Sequence, residues 1–270
     1  MAAYEFFAAT TTDLAIANIK TKAEAYGWTI DFFGTYNAHN RLHLHNASGA
    51  HFELWWLSSL GFYIAACTGY SSGSAPTAQP GVSSSLQITG NCATLIVVCP
   101  SSIYLKIFKD GTLPQNIQFG MIEEKTGVWA GGVFISSTCP ASNSYAFSLW
   151  TTYSLYSSQV LINGIWSTPV TSNGGAVYGV CESELYTKMP FAYSGGILPA
   201  PLMLVQINPS TTTYRIPLGY APDVRMFSGG SVYSSLEEIT IDGETWLAIN
   251  QSETGGTFLG IPDTLIRLAA

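Results

Sequence analysis

Glu237-Glu238-Ile239-Thr240-Ile241-Asp242-Gly243-Glu244-Thr245-Trp246-Leu247-Ala248-Ile249 reads as a β-hairpin residue by residue. Ile239 and Ile241 alternate with polar neighbours, and Thr245, Leu247 and Ile249 alternate on the return. That two-residue period belongs to strands with one buried face. Asp242-Gly243 supplies the turn, since both positions tolerate the positive φ that β-branched residues resist. The hairpin ends a stretch that opens with Ile216-Pro217-Leu218-Gly219-Tyr220-Ala221-Pro222-Asp223-Val224-Arg225, and it is expected to close the fold. No catalytic pattern sits on it.

Similar signals run back along the chain. Ile162-Asn163-Gly164-Ile165-Trp166 is a second hairpin signature. Strands are predicted at Trp28–Phe33, Arg41–Asn46, His51–Leu57, Phe62–Thr68, Thr94–Cys99, Ile103–Phe108, Ile117–Glu123, Gly132–Ser136, Tyr145–Trp150 and Gln159–Ile162. Turns fall at Ala47-Ser48-Gly49, Lys109-Asp110-Gly111 and Lys125-Thr126-Gly127. Pro199–Ile207 is apolar but holds two prolines, which suits an edge or a connector better than a central strand. One helix interrupts this pattern. Ile16, Ile19, Ala23 and Tyr26 repeat at helical spacing, Thr12 or Asp13 is placed to cap it, and Gly27 stops it.

The fold class predicted is mainly β: antiparallel sheets, sandwich- or barrel-like, with the N-terminal helix packed on a sheet. Residues 1–90 form an N-terminal arm, the helix and a β-meander that ends in the long Ser/Gly/Pro-rich loop Gly69–Ser85. Residues 91–270 form a larger all-β region, continuous or not with the first. A structureless loop of that length tends to be functional. The loop and the arm (residues 1–10) are expected to reach neighbouring subunits.

Composition narrows the function. Charged residues make up 10% of the 270-residue chain, against roughly 25% in ordinary soluble domains. Polarity therefore comes from Ser, Thr, Asn and Gly, which suits a surface packed against other subunits and equally the Ser/Thr-rich exterior of an extracellular β-protein. The ten Lys and Arg form no cluster and the net charge is −7, so nucleic acid is not an expected partner. No apolar run reaches 18 residues, so no membrane span is expected. Met1-Ala2-Ala3-Tyr4-Glu5 lacks a basic start before an apolar run, so no secretory signal is expected.

Residues able to carry chemistry are scattered. Cys67, Cys92, Cys99, Cys139 and Cys181 show no Cys-x-x-Cys pair. They are read as small buried side chains, with one or two disulfides, between subunits included, as the alternative. His39, His43, His45 and His51 lie within thirteen residues, and His43 and His45 share one strand face with His51 at the start of the partner strand. A metal could bind there. The preferred reading buries Leu42 and Leu44 and leaves the histidines on a solvated or interfacial face, with no metal or cofactor assigned. Glu123-Glu124 and Glu237-Glu238 are adjacent on strands, so each pair points to opposite faces and makes no acid–base couple. Asp223 and Arg225 share a face, and a structural ion pair is expected. No nucleophile motif or phosphate loop is present. No catalytic residue is assigned, and the chain is read as a non-enzyme. Seven Trp, fifteen Tyr and thirteen Phe leave open a sugar-binding surface.

Two segments taken together carry a resemblance. The first runs from Phe119-Gly120-Met121-Ile122-Glu123-Glu124 to Gly127-Val128-Trp129-Ala130-Gly131-Gly132-Val133-Phe134. In it, an apolar strand leads to a Phe-Gly turn, a short charged strand, then an aromatic and Gly-Gly before another strand. The second is Leu218–Arg225 followed by the hairpin at 237–246. With the opening helix, Gly27-Trp28-Thr29-Ile30 and Leu42-His43-Leu44-His45-Asn46, these resemble structural proteins of tailed-bacteriophage virions. The likeness is intermittent from end to end. It implies a ring-forming component of the neck, collar or head–tail connection, assembled in a host cytoplasm. Its partners would be copies of itself and neighbouring virion proteins: connector, tail tube, collar or fibre. A carbohydrate-recognising tail or fibre module is the alternative, and a β-type hydrolase a more distant one. Ile261-Pro262-Asp263-Thr264-Leu265-Ile266-Arg267 departs from the pattern by placing a proline where an uninterrupted final strand is expected.

Overall fold

The computed structural model describes residues 3–8, 11–57, 61–82, 86–88, 93–108, 115–123, 132–137, 159–162, 165–167, 177–180, 200–207, 215–227, 234, 236–249 and 263–270. The strand expected at Tyr145–Trp150 lies outside them, as do Cys92, Cys139, Cys181, Glu124 and the turns at 109–111 and 125–127. The described chain is mainly β, with three antiparallel sheets and one α-helix near the N-terminus.

The first sheet has five strands in simple order: β2 (Thr29–Tyr36), β3 (His39–His45), β4 (His51–Trp56), β5 (Phe62–Cys67) and β6 (Leu86–Ile88). The second has seven: β1 (Tyr4–Phe7), β7 (Ala93–Val98), β8 (Ser102–Phe108), β9 (Gln115–Ile122), β10 (Gly132–Ser137), β11 (Gln159–Ile162) and β12 (Ile165–Ser167). The third runs in the order β13 (Val177–Val180), β14 (Ala200–Ile207), β15 (Arg215–Phe227), β18 (Asp263–Arg267), β17 (Glu244–Ile249), β16 (Glu238–Ile241).

Helix α1 spans Thr12–Ala25. Its cap is Thr11, one residue earlier than expected, whose hydroxyl accepts from the Leu14 amide at 3.2 Å. Asp13, freed from capping, instead accepts from Trp56 Nε1 at 2.6 Å. Ile16, Ile19 and Ala23 are buried in one apolar core with Leu42, Leu44, Phe52, Leu54 and Ile64 of the five-stranded sheet. The same core takes Ile96, Val98, Ile103, Leu105, Ile117 and Phe119 of the seven-stranded sheet. The position at residue 90 thus falls between two sheets that share a core, and β1 of the N-terminal segment is an edge strand of the second sheet.

The hairpin at 237–249 forms as read: Ile241 pairs with Glu244 across Asp242 (φ +55) and Gly243 (φ +81). It does not close the fold. β18 follows it in sequence and inserts between β17 and β15, its described residues beginning at Asp263, after the proline in the sequence. Pro199–Ile207 is corrected in the same sense. β14 is paired on both sides, not an edge. Among the described residues β13 pairs with Met203–Gln206 and stops short of Pro201, beside which the β15 register shifts. Phe119-Gly120 is no turn: it lies inside β9, where Gly120 pairs with Ser102 and Phe134.

The arm and the long loop both make contacts within the chain. Tyr4–Phe7 pairs antiparallel with β7, Tyr4 opposite Val97. Residues 68–82 fold back over the five-stranded sheet, tied by Thr68 N donating to Pro80 O at 2.8 Å and by Arg41 donating to the Ser74 carbonyl.

Candidate functional site

The face of the five-stranded sheet opposite the apolar core is polar and largely buried. Strand alternation sends Leu42, Leu44, Phe52 and Leu54 into the core and Arg41, His43, His45, His51 and Glu53 to the other side. Asn46 fixes the β3–β4 turn by accepting from the Ser48 and Ala50 amides, both at 3.0 Å. That register sets His45 opposite His51 and His43 opposite Glu53. Asp31 joins them through a β-bulge: Ile30 pairs with Leu44 and Phe32 with His43, leaving Asp31 as the extra residue.

The result is a connected cluster. His43 Nδ1 lies 2.5 Å from Glu53 Oε2, and its Nε2 lies 3.2 Å from His51 Nδ1. His45 Nδ1 is 2.8 Å from Asp31 Oδ2, which is 3.7 Å from both His43 Nε2 and His51 Nδ1. Ligand atoms of Asp31, His45 and His51 all lie within 4.8 Å of one another. Arg41, with no exposure, sits over the Phe32 ring at 4.3 Å and 3.5 Å from Glu53 Oε1. Tyr70, from the overlying loop, places its ring 4.8 Å from that of His43.

The solvated face expected for the histidines is therefore corrected. Leu42 and Leu44 are buried as expected, but His43 is fully buried too, and His45 and His51 are only part-exposed. The loop roofs the sheet, and Glu53 and Asp31 supply the partners that make burial of polar rings tolerable. His39 stays apart, with its Nδ1 at the Asn37 carbonyl. Burial lowers the His51 pKa from its ordinary value, helped by His45 and His43 and opposed by Asp31. Burial raises that of Glu53, against the pull of His43 and Arg41.

A second polar network joins the third sheet to the second. Asp223 is fully buried; its Oδ1 accepts from Arg267 Nε at 3.0 Å and Nη2 at 2.7 Å, and its Oδ2 from the Ser101 amide and Ser102 Oγ, both at 2.9 Å. The expected Asp223–Arg225 pair does not form. Val224 pairs with Ile266, so Arg267 lies one step along as a cross-strand neighbour, closer than a residue two positions away on the same strand. Arg225 instead stacks over Trp246 at 4.5 Å and reaches Asp242 at 3.5 Å. Burial pushes the Asp223 carboxyl up, opposed by Arg267, Ser102 and the Ser101 amide. Beside this network an open cleft of about 410 Å³ is lined by Glu123, Arg225, Glu244, Trp246 and Arg267, among others. Glu244 is committed to Arg267 Nη1 at 2.6 Å. Glu237 and Glu238 are exposed.

Cys67 and Cys99 are buried free thiols, and burial is the main cause raising the pKa of both. Asp31, Glu53 and Tyr70 were not singled out in the sequence. The available signal was a lone acid in each of two apolar runs, Thr29-Ile30-Asp31-Phe32 and Phe52-Glu53-Leu54. No protein-family model matches the chain, and no curated protein matches it in sequence.

Proposed function

We propose that the protein is a structural component of a tailed-bacteriophage virion, built as a homo-oligomeric ring into the neck, collar or head–tail connection. The observation that carries this reading is the exposure of apolar side chains on the helix and on the five-stranded sheet, Phe33 among them on a strand that ends the sheet's order among the described residues. Leu14, Phe33 and Leu57 are all exposed. Leu14 follows Asp13 and Leu57 follows Trp56, the two residues joined by the indole–carboxylate bond, and the Phe33 ring lies 6.4 Å from that of Trp56. Among the described residues, β2, which carries Phe33, ends the order of the five-stranded sheet. A strand that ends a sheet and carries an exposed apolar side chain suits pairing with another chain.

The charge-poor composition favours the same reading, since neighbouring copies meet without like-charge repulsion. So does the resemblance in the segments 119–134 and 218–246. The described parts of the arm and the loop are engaged within their own chain, and in the proposed ring the β2 edge supplies a further contact to a neighbouring copy. The partners are copies of the chain and adjoining virion proteins, brought together in the host cytoplasm.

Light scattering after size exclusion, with and without reductant, tests this. A defined oligomer whose mass is a multiple of 29.0 kDa is expected in both conditions. A monomer that binds glycans and no particle protein would overturn the ring and favour the carbohydrate-recognising alternative.

A further inference from the structure

We propose that the buried polar face of the five-stranded sheet is a binding site for a divalent transition-metal ion of the zinc class, held by His43, His45, His51 and Asp31. The site is independent of the virion reading.

The donor atoms already stand near the positions a metal needs. Four ligands at about 2.0–2.1 Å from a tetrahedral zinc lie roughly 3.3 Å from one another. His43 Nε2 and His51 Nδ1 are 3.2 Å apart, and each is 3.7 Å from Asp31 Oδ2. These three atoms form one nearly equilateral face of such a tetrahedron. His45 Nδ1 lies 2.8 Å from the same oxygen, and ligand atoms of Asp31, His45 and His51 lie within 4.8 Å of one another, so His45 adds a donor beside that face. Imidazole nitrogens with one carboxylate suit zinc and its neighbours better than they suit calcium or magnesium.

The second observation is the support behind His43. This ring has no exposure, and its Nδ1 faces Glu53 Oε2, also without exposure. With Nδ1–H donating to that carboxylate, the neutral ring turns an Nε2 lone pair into the cluster. A carboxylate–histidine pair of this kind is the arrangement that orients and strengthens a metal-bound imidazole. Arg41 lies against Glu53 and Tyr70 against the His43 ring, so the support is itself held. His45, His51 and Asp31 each keep part of their surface exposed, which leaves an entry path from solvent.

The untagged full chain, stripped with EDTA and titrated with cobalt chloride, is expected to develop the intense visible bands of four-coordinate Co²⁺. Zinc chloride should discharge them at one equivalent per chain, by elemental mass spectrometry. Asp31→Asn and His51→Ala should abolish the bands. Glu53→Gln should weaken affinity about 10–100-fold. His39→Ala, remote from the cluster, should change nothing. Circular dichroism establishes that each variant is folded, and the near-isosteric Asp31→Asn carries the test if His51→Ala is not. No bands and no retained zinc in the wild-type chain would overturn the proposal, showing the cluster to be held by protons alone. Bands that persist undiminished in folded Asp31→Asn would overturn it as well.

Discussion

Asp223 shows how one buried carboxylate chooses between two arginines. Arg267 meets it with two nitrogens, whereas Arg225 sits at a surface-exposed Asp242 and on the Trp246 ring. Arg267→Met leaves a fully buried carboxylate without its charge partner and should destabilise the protein by about 3–5 kcal/mol in urea unfolding. Arg225→Met removes an exposed pair and a stacking contact, and should cost only about 1 kcal/mol. Equal effects from the two would contradict the assignment. Cys67 and Cys99 give a second test at this scale. Both are buried with raised pKa, so neither should be alkylated by iodoacetamide at mildly alkaline pH until the chain unfolds, as peptide mass spectrometry would report. At this level the sequence was half legible. Asp223 was identifiable as a paired acid, but its partner lies forty-four residues downstream on a strand whose register no local pattern reveals.

Hairpins were legible where glycine marked the turn. Asp242-Gly243 announced β16–β17, and both residues have positive φ. The turn between β2 and β3 uses Asn37 (φ +48) and Ala38 (φ +63), with no glycine, so the strands on either side were read several residues short. An alanine in the left-handed region carries strain that glycine does not, so Ala38→Gly should stabilise the protein by about 1 kcal/mol. Gly120 is the reverse case. A Cβ there would lie 2.3 Å from Ser102 Cβ and 2.6 Å from the Ser101 carbonyl, the segment that also binds Asp223. Gly120→Ala should therefore destabilise by about 1–3 kcal/mol through crowding of β8 against β9, with thermal melting as the readout. A neutral result at Gly120 would mean that the β8–β9 contact is looser than described. The histidine face was illegible at this scale for a related reason. Period-two alternation separates the two faces of a strand, but what covers the second face depends on a loop, here residues 68–82, whose path no periodicity encodes.

At the scale of the whole molecule, the mainly β class followed from turn spacing and alternation, while the way three sheets share their strands did not. β1 and β18 join sheets through pairings distant in sequence, β1 with β7 and β18 with β15 and β17. If the exposed Phe33 on β2 lies in a subunit interface, Phe33→Glu should lower the oligomeric mass without unfolding the chain. Phe33 is outside the core, so its melting temperature should stay within a few degrees of the wild type. An unchanged oligomer would remove this patch from the interface. The most direct measurement is quantitative mass spectrometry of tailed particles purified by gradient from a lysate in which this chain is made. The protein is expected to co-sediment with the particles at a fixed number of copies per portal across the peak. Recovery of the protein only in the particle-free fractions would contradict it.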